Sequence, residues 1–120
     1  MSLVLLMSEA SLLSDHHIKE LIEEGKLRIH PFDIKSINPT SINLRLGSEL
    51  VSHVPQTIKI GIEKPESYEI DISSSSYRLR SGEFVLGTTK ERVYIPDGYQ
   101  GVIETKGDIA RAGIQVHNND

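Results

Sequence analysis

The residues of this chain whose types and spacing could do chemistry together are Lys106, Asp108 and Arg111. They sit within six residues of one another in Glu104-Thr-Lys-Gly-Asp-Ile-Ala-Arg-Ala-Gly-Ile114, where a β-like run ends. If Gly107 to Arg111 make one helical turn, free backbone N–H groups and two cations converge at its start, a small anion site suited to phosphate. A charged β-turn with an Arg–Asp surface pair accounts for the same residues. Both readings stand on the residues alone.

Other chemistries are poorly supplied. His16 and His17 are adjacent, and helix neighbours point about 100° apart. His30, His53 and His117 are scattered, and no pair has ligand spacing such as H-E-x-x-H. They read as solvated or structural histidines, with no metal site. No G-x-x-x-x-G-K-[ST] phosphate loop occurs, and Gly82, Gly87, Gly98, Gly101, Gly107 and Gly113 stand singly as turn glycines. There is no G-x-S-x-G elbow, and Asp15 beside the two histidines has no placed serine partner, which argues against a triad hydrolase. With no cysteine in the chain, disulfides, thiol catalysis, zinc ribbons and iron–sulfur clusters are excluded.

The elements that must position Lys106 to Arg111 follow from pattern. Ser14 reads as a helix N-cap with Asp15 in the first turn, Ile18, Leu21 and Ile22 as the apolar stripe and Gly25 as the stop. Leu13 and Ile18 fall where a hydrophobic staple fixes the chain's entry. After Pro31 the period changes: Ile42, Leu44 and Leu46 share one face of a strand that Gly47 ends. Short β-rich runs follow at 49–54, 57–62, 68–72, 77–80, 83–87, 91–95 and 100–105, the pattern of an all-β sandwich or barrel. Residues 1–12 read as an extra N-terminal segment, a short edge strand or partly an expression scar. Residues 1–120 as a whole read as a single domain, since that length fits one and no linker divides it.

The formal charge of −4 argues against a protein that coats DNA or RNA. The opening Met1-Ser-Leu-Val-Leu-Leu-Met7 has no basic residue, and its apolar run is too short for a signal-peptide core or a membrane span. The expectation is a cytoplasmic protein without membrane partners.

Three blocks in order resemble dCTP deaminases. The first runs through Leu13-Ser-Asp, Ile18-Lys-Glu-Leu-Ile-Glu-Glu-Gly25, Pro31-Phe-Asp33 and Asn38-Pro-Thr-Ser-Ile-Asn-Leu-Arg-Leu-Gly47. The second is Gly82-Glu-Phe-Val-Leu-Gly-Thr-Thr-Lys-Glu-Arg-Val-Tyr-Ile-Pro-Asp97, and the third is Gly101 to His117. The resemblance implies a mainly β, dUTPase-like β-clip fold, a distorted, jelly-roll-like barrel with one N-terminal α-helix. It also implies a homotrimer with nucleotide sites between subunits, and hydrolytic deamination of dCTP to dUTP and ammonia. Relatives that also cleave the triphosphate to dUMP make a dUTP diphosphatase or a bifunctional enzyme the alternative; a noncatalytic nucleotide-binding or assembly module is a third. The resemblance further implies that magnesium accompanies the triphosphate and that zinc is not used. The H-x-E and P-C-x-x-C set of zinc deaminases cannot be built without cysteine.

The family motif Gly-Arg-Ser-Ser-Leu-Ala-Arg matches Thr105-Lys-Gly-Asp-Ile-Ala-Arg111 here. The resemblance places Arg111 beside the reacting base and water as the catalytic candidate. Lys106 stands for an arginine, keeping the charge and losing the bidentate fork. Gly107 and Asp108 replace two serines, and the Asp108 carboxylate repels a triphosphate unless it is paired, capped or used through magnesium. Asn118 and Asn119, followed by Asp120, match the stretch that passes the pyrimidine. The family's general-base glutamate lies in a later β-rich segment and matches nothing in these residues; Glu104 matches a position before the motif. The chain therefore reads as C-terminally shortened, and the 120-residue polypeptide alone is expected to show weak or no deaminase activity.

Overall fold

The computed structural model describes residues 1–7 and 11–117. The chain divides into two compact units, Met1–Arg45 with Lys90–Asp120, and Leu46–Thr89.

The first unit begins with β1 (Ser2–Met7) and α1 (Asp15–Glu23). Ser14 is the N-cap, its Oγ accepting the His17 N–H, and Ile18 and Leu21 are buried on the inner face. Beyond Glu24 the chain turns at Gly25, where φ is +72°. The Gly25 N–H donates to the Ile22 carbonyl and the Lys26 N–H to the Leu21 carbonyl, the paired bonds by which a left-handed residue closes a helix. A side chain at that φ is strained, although the space around Gly25 is open. Gly25→Ala is expected to cost about 1 kcal/mol, read as a lower urea midpoint with an unchanged slope.

Next come β2 (Arg28–His30), a 3₁₀ turn (Ile34–Ser36) and β3 (Ile42–Asn43). The loop between the last two is held by Asn38, whose Nδ2 donates to the Asn43 Oδ1 at 2.7 Å and whose backbone N–H donates to the Ser41 carbonyl at 2.8 Å. The second unit contributes β4 (Leu46–His53), β5 (Ser67–Asp71) and β6 (Val85–Thr89). The chain returns to the first unit for β7 (Arg92–Tyr94), β8 (Tyr99–Glu104) and the short helix α2 (Gly107–Arg111).

The described residues form three antiparallel sheets, ordered β3-β1-β8, β2-β7 and β5-β4-β6. β1 is the middle strand of the first, pairing with β8 from Ser2↔Glu104 to Met7↔Tyr99. This corrects the reading of an edge strand or scar: Leu3 and Leu5 alternate inward and join Leu13, Ile18, Leu21, Leu27, Ile42 and Leu44 in the buried cluster. A strand with partners on both sides and a core-facing row is integral to its unit.

Other runs differ from the sequence pattern for identifiable reasons. The strand expected through Leu46 breaks at Leu44 and Arg45, and Gly47 lies inside β4 rather than ending it. A Cβ on Gly47 would meet the Thr88 carbonyl oxygen at 2.8 Å, so that glycine permits a close backbone approach beside the register shift between Leu46 and Leu50. Residues 57–62 form no strand: the chain reverses at Gly61, φ +83°, and Ile60 and Ile62 are 96% and 81% exposed. Residues 77–80 are irregular as well. There the Glu83 carboxylate accepts the Tyr77 hydroxyl and the Arg80 N–H, which lowers the carboxyl's pKa and raises that of the phenol. β2 was not anticipated, because its three residues carry too little pattern to register.

Candidate functional site

β8 delivers the chain to Thr105, and Lys106 serves as the N-cap of α2 in an extended conformation, φ −65° and ψ 145°, with no side-chain cap bond. The turn posed as a condition by the sequence therefore forms. It closes as α1 does: Gly113, φ +86°, donates to the Ala110 carbonyl, and Ile114 donates to Ile109. The following segment is fastened back by the Val116 N–H donating to Thr105 Oγ1 at 2.9 Å. Lys106, Gly107, Asp108 and Arg111 thus share one exposed turn, with Ile109 half-buried beneath it.

Asp108 Oδ1 accepts the Ile109 N–H at 3.0 Å, so one free donor of this helix start is taken by the chain's own carboxylate. Arg111 Nε donates to the Gly107 carbonyl at 3.3 Å, which holds the side chain along the turn. Among the described residues the ion pairs are His16–Glu20, Lys26–Glu24 and Arg45–Glu91, none of them between Asp108 and Arg111. The Arg–Asp surface pair is therefore not what organises this segment. Gly107 has open space where a Cβ would project, so a serine fits there without displacement. Asn118 and Asn119, and Asp120 after them, lie outside the described residues.

The histidines are dispersed. His16 Nε2 lies 3.0 Å from Glu20 Oε1 on the exposed face of α1, and His17 meets the Tyr99 ring edge-on. Among the described residues no three His, Asp or Glu side chains converge as a metal site, and no helix is long and apolar enough to cross a membrane.

One charged contact escaped the sequence reading. Glu91 is almost fully buried, its Oε1 accepting from Arg45 Nε at 2.8 Å and its Oε2 from the Arg45 backbone N–H at 2.9 Å. Burial pushes this carboxyl's pKa up, but the Arg45 hydrogen bonds and the guanidinium charge outweigh it and hold the group below the usual glutamate range. The Lys90 N–H donates to the Arg45 carbonyl at 2.9 Å, tying the same two chain segments a second time. Nothing local distinguishes Glu91 from the exposed charges beside it in Lys90-Glu91-Arg92.

Open antiparallel sheets with few helices, carrying an exposed cationic turn at a strand's end, are consistent with a dUTPase-like β-clip protein. The chain belongs to the dCTP deaminase-like family, whose model matches residues 12–119. It is 40% identical over 115 residues to a "dCTP deaminase, dUMP-forming" of Dictyoglomus thermophilum, the match covering 88% of this chain and 59% of that protein. It is 34% identical over 109 residues to a protein of the same name from Methanosphaerula palustris, with 88% and 59% covered. With a "dCTP deaminase" of Natronomonas pharaonis the identity is 34% over 116 residues, again with 88% and 59% covered. The chain thus spans less than two thirds of the length of these relatives.

Proposed function

We propose that this chain is the nucleotide-binding part of a dCTP deaminase acting in pyrimidine deoxynucleotide metabolism in the cytoplasm. The observation that carries the reading is the family match across residues 12–119. Water adds to the amine-bearing ring carbon of dCTP and ammonia leaves. The names of the Dictyoglomus and Methanosphaerula relatives favour continuation to dUMP, with a second water releasing pyrophosphate, over release of dUTP.

Arg111 stands beside the base and the attacking water, and a glutamate outside the matched motif serves as general base. Lys106 and the Gly107 N–H receive the triphosphate, and Asn118 and Asn119 pass the pyrimidine edge. Magnesium enters with the triphosphate as part of the substrate. Homotrimers with sites between subunits complete the arrangement.

A noncatalytic module is the second reading, favoured by Asp108, whose carboxylate occupies an N–H at the phosphate end of the turn. Incubation of a protein of the relatives' length with dCTP and magnesium, resolved by chromatography, separates the two. Ammonia with dUMP and pyrophosphate is expected, dUTP accumulation would reassign the product, and binding without turnover would leave only the module.

Asp108→Ser removes the like charge and frees the Ile109 N–H. Titration of the 120-residue chain with dCTP and magnesium is expected to show affinity tightened roughly two- to fivefold, the size of an exposed charge interaction. An unchanged or weaker affinity would mean that Asp108 assists the nucleotide.

A further inference from the structure

We infer that the outer face of the β2–β7 ribbon is a second anion site, independent of the Lys106–Arg111 turn, for the polyphosphate of a small phosphorylated ligand. Its register sets Arg28 opposite Tyr94 and His30 opposite Arg92. Ile29 and Val93 alternate inward and pack against the buried cluster, so the other four side chains share the exposed face.

In a chain with 17 acidic and 13 basic residues, this face holds two guanidiniums, an imidazole and a phenol, and no acid. Among the described residues no ion pair or side-chain hydrogen bond engages Arg28, His30 or Arg92. The Arg28 guanidinium lies 4.6 Å from the centroid of the Tyr94 ring. Such stacking orders the planar group and leaves its edge N–H donors free. Arg92 is the diagonal neighbour of Arg28, about 7 Å away across the ribbon, close enough for both forks to take oxygens of adjoining phosphates.

Size chooses the occupant. Two three-residue strands give a face about 7 Å long and about 5 Å wide, a footprint for one or two phosphates. Polymer binding draws on several more cations than this face has, and the overall charge of −4 opposes it.

The test titrates the chain with inorganic tripolyphosphate at low salt by calorimetry. Made in the Lys106→Gln, Arg111→Gln background, so that the turn does not compete for the probe, Arg28→Gln with Arg92→Gln is expected to weaken binding about tenfold or more, the effect of losing two charge-assisted contacts, while Arg28→Lys retains part of it. The Lys106→Gln, Arg111→Gln chain is expected to keep this binding. Both pairs are exposed, and unchanged circular dichroism and melting temperature establish that each variant folds. Binding that survives the ribbon substitutions in that background, or that disappears with the Lys106 and Arg111 substitutions alone, overturns the assignment. So does a short oligothymidylate that binds more tightly than tripolyphosphate and is lost with the ribbon variant, since the occupant is then single-stranded nucleic acid. Failure of the deaminase reading leaves this result unaffected, because the assay contains no dCTP.

Discussion

Arg111→Gln is expected to lower kcat for dCTP deamination about 10²- to 10³-fold in a protein that supplies the general base, with a much smaller change in KM. That range is the effect of deleting one preorganised donor aimed at developing charge. The position suits the role: Arg111 is exposed, its Nε is anchored on the Gly107 carbonyl 3.3 Å away, and no carboxylate among the described residues pairs with it.

The same substitution leaves α2 intact, because the Gly113 and Ile114 N–H bonds that close the helix are made by backbone. Steady-state kinetics alongside thermal melting checks both statements. A drop in kcat/KM carried entirely by KM would make Arg111 a binding residue only. Arg111→Lys is expected to recover little, since an ammonium cannot offer the planar fork.

The second large effect is on stability. Arg45→Met is expected to destabilise the first unit by about 2 to 3 kcal/mol, measured by urea denaturation at neutral pH. The asymmetry of exposure is the reason: the Glu91 side chain is 7% exposed and that of Arg45 is 60% exposed. Removing the guanidinium deprives a buried carboxylate of this countercharge, whereas Glu91→Gln leaves a neutral group that still accepts the Arg45 N–H and is expected to cost nearer 1 kcal/mol.

The pH dependence has a definite sign. Glu91 titrates below the ordinary value of 4.5 in the folded protein, so the pair's contribution is complete above about pH 4.5 and is lost as pH falls through the folded-state pKa. The gap in melting temperature between wild type and Arg45→Met should therefore narrow on acidification from pH 7 to pH 3. A gap that is absent at pH 7, or that stays constant across that range, removes the ion pair as a source of stability.

These two residues also mark where the sequence became illegible. Arg45 and Glu91 are separated by 46 positions; Arg45 lies between Leu44 and Leu46 and Glu91 between Lys90 and Arg92, and neither setting signals that the carboxylate is buried against the distant guanidinium. α1 was legible because its signals are local: a serine cap, a stripe at helical spacing and a glycine whose φ only glycine adopts easily. The α2 turn was legible as a possibility, since a short charged segment between a strand and a glycine permits a helix without demanding it. Ile58, Ile60 and Ile62 misled because alternation records which residues could share a face, and no partner strand came to meet them.

The sequence by itself determined the family, through three ordered blocks, along with the capped first helix and the cationic turn whose residues lie close along the chain. Only the tertiary structure decided that β1 is a central strand, that Gly47 serves a close approach to Thr88, that Glu91 is buried against Arg45, and that Arg28, Tyr94, His30 and Arg92 form one face. The physical reason is range. Caps, turns and amphipathic stripes are set by residues within a few positions of one another, whereas strand pairing and burial depend on which distant segments meet and in which register.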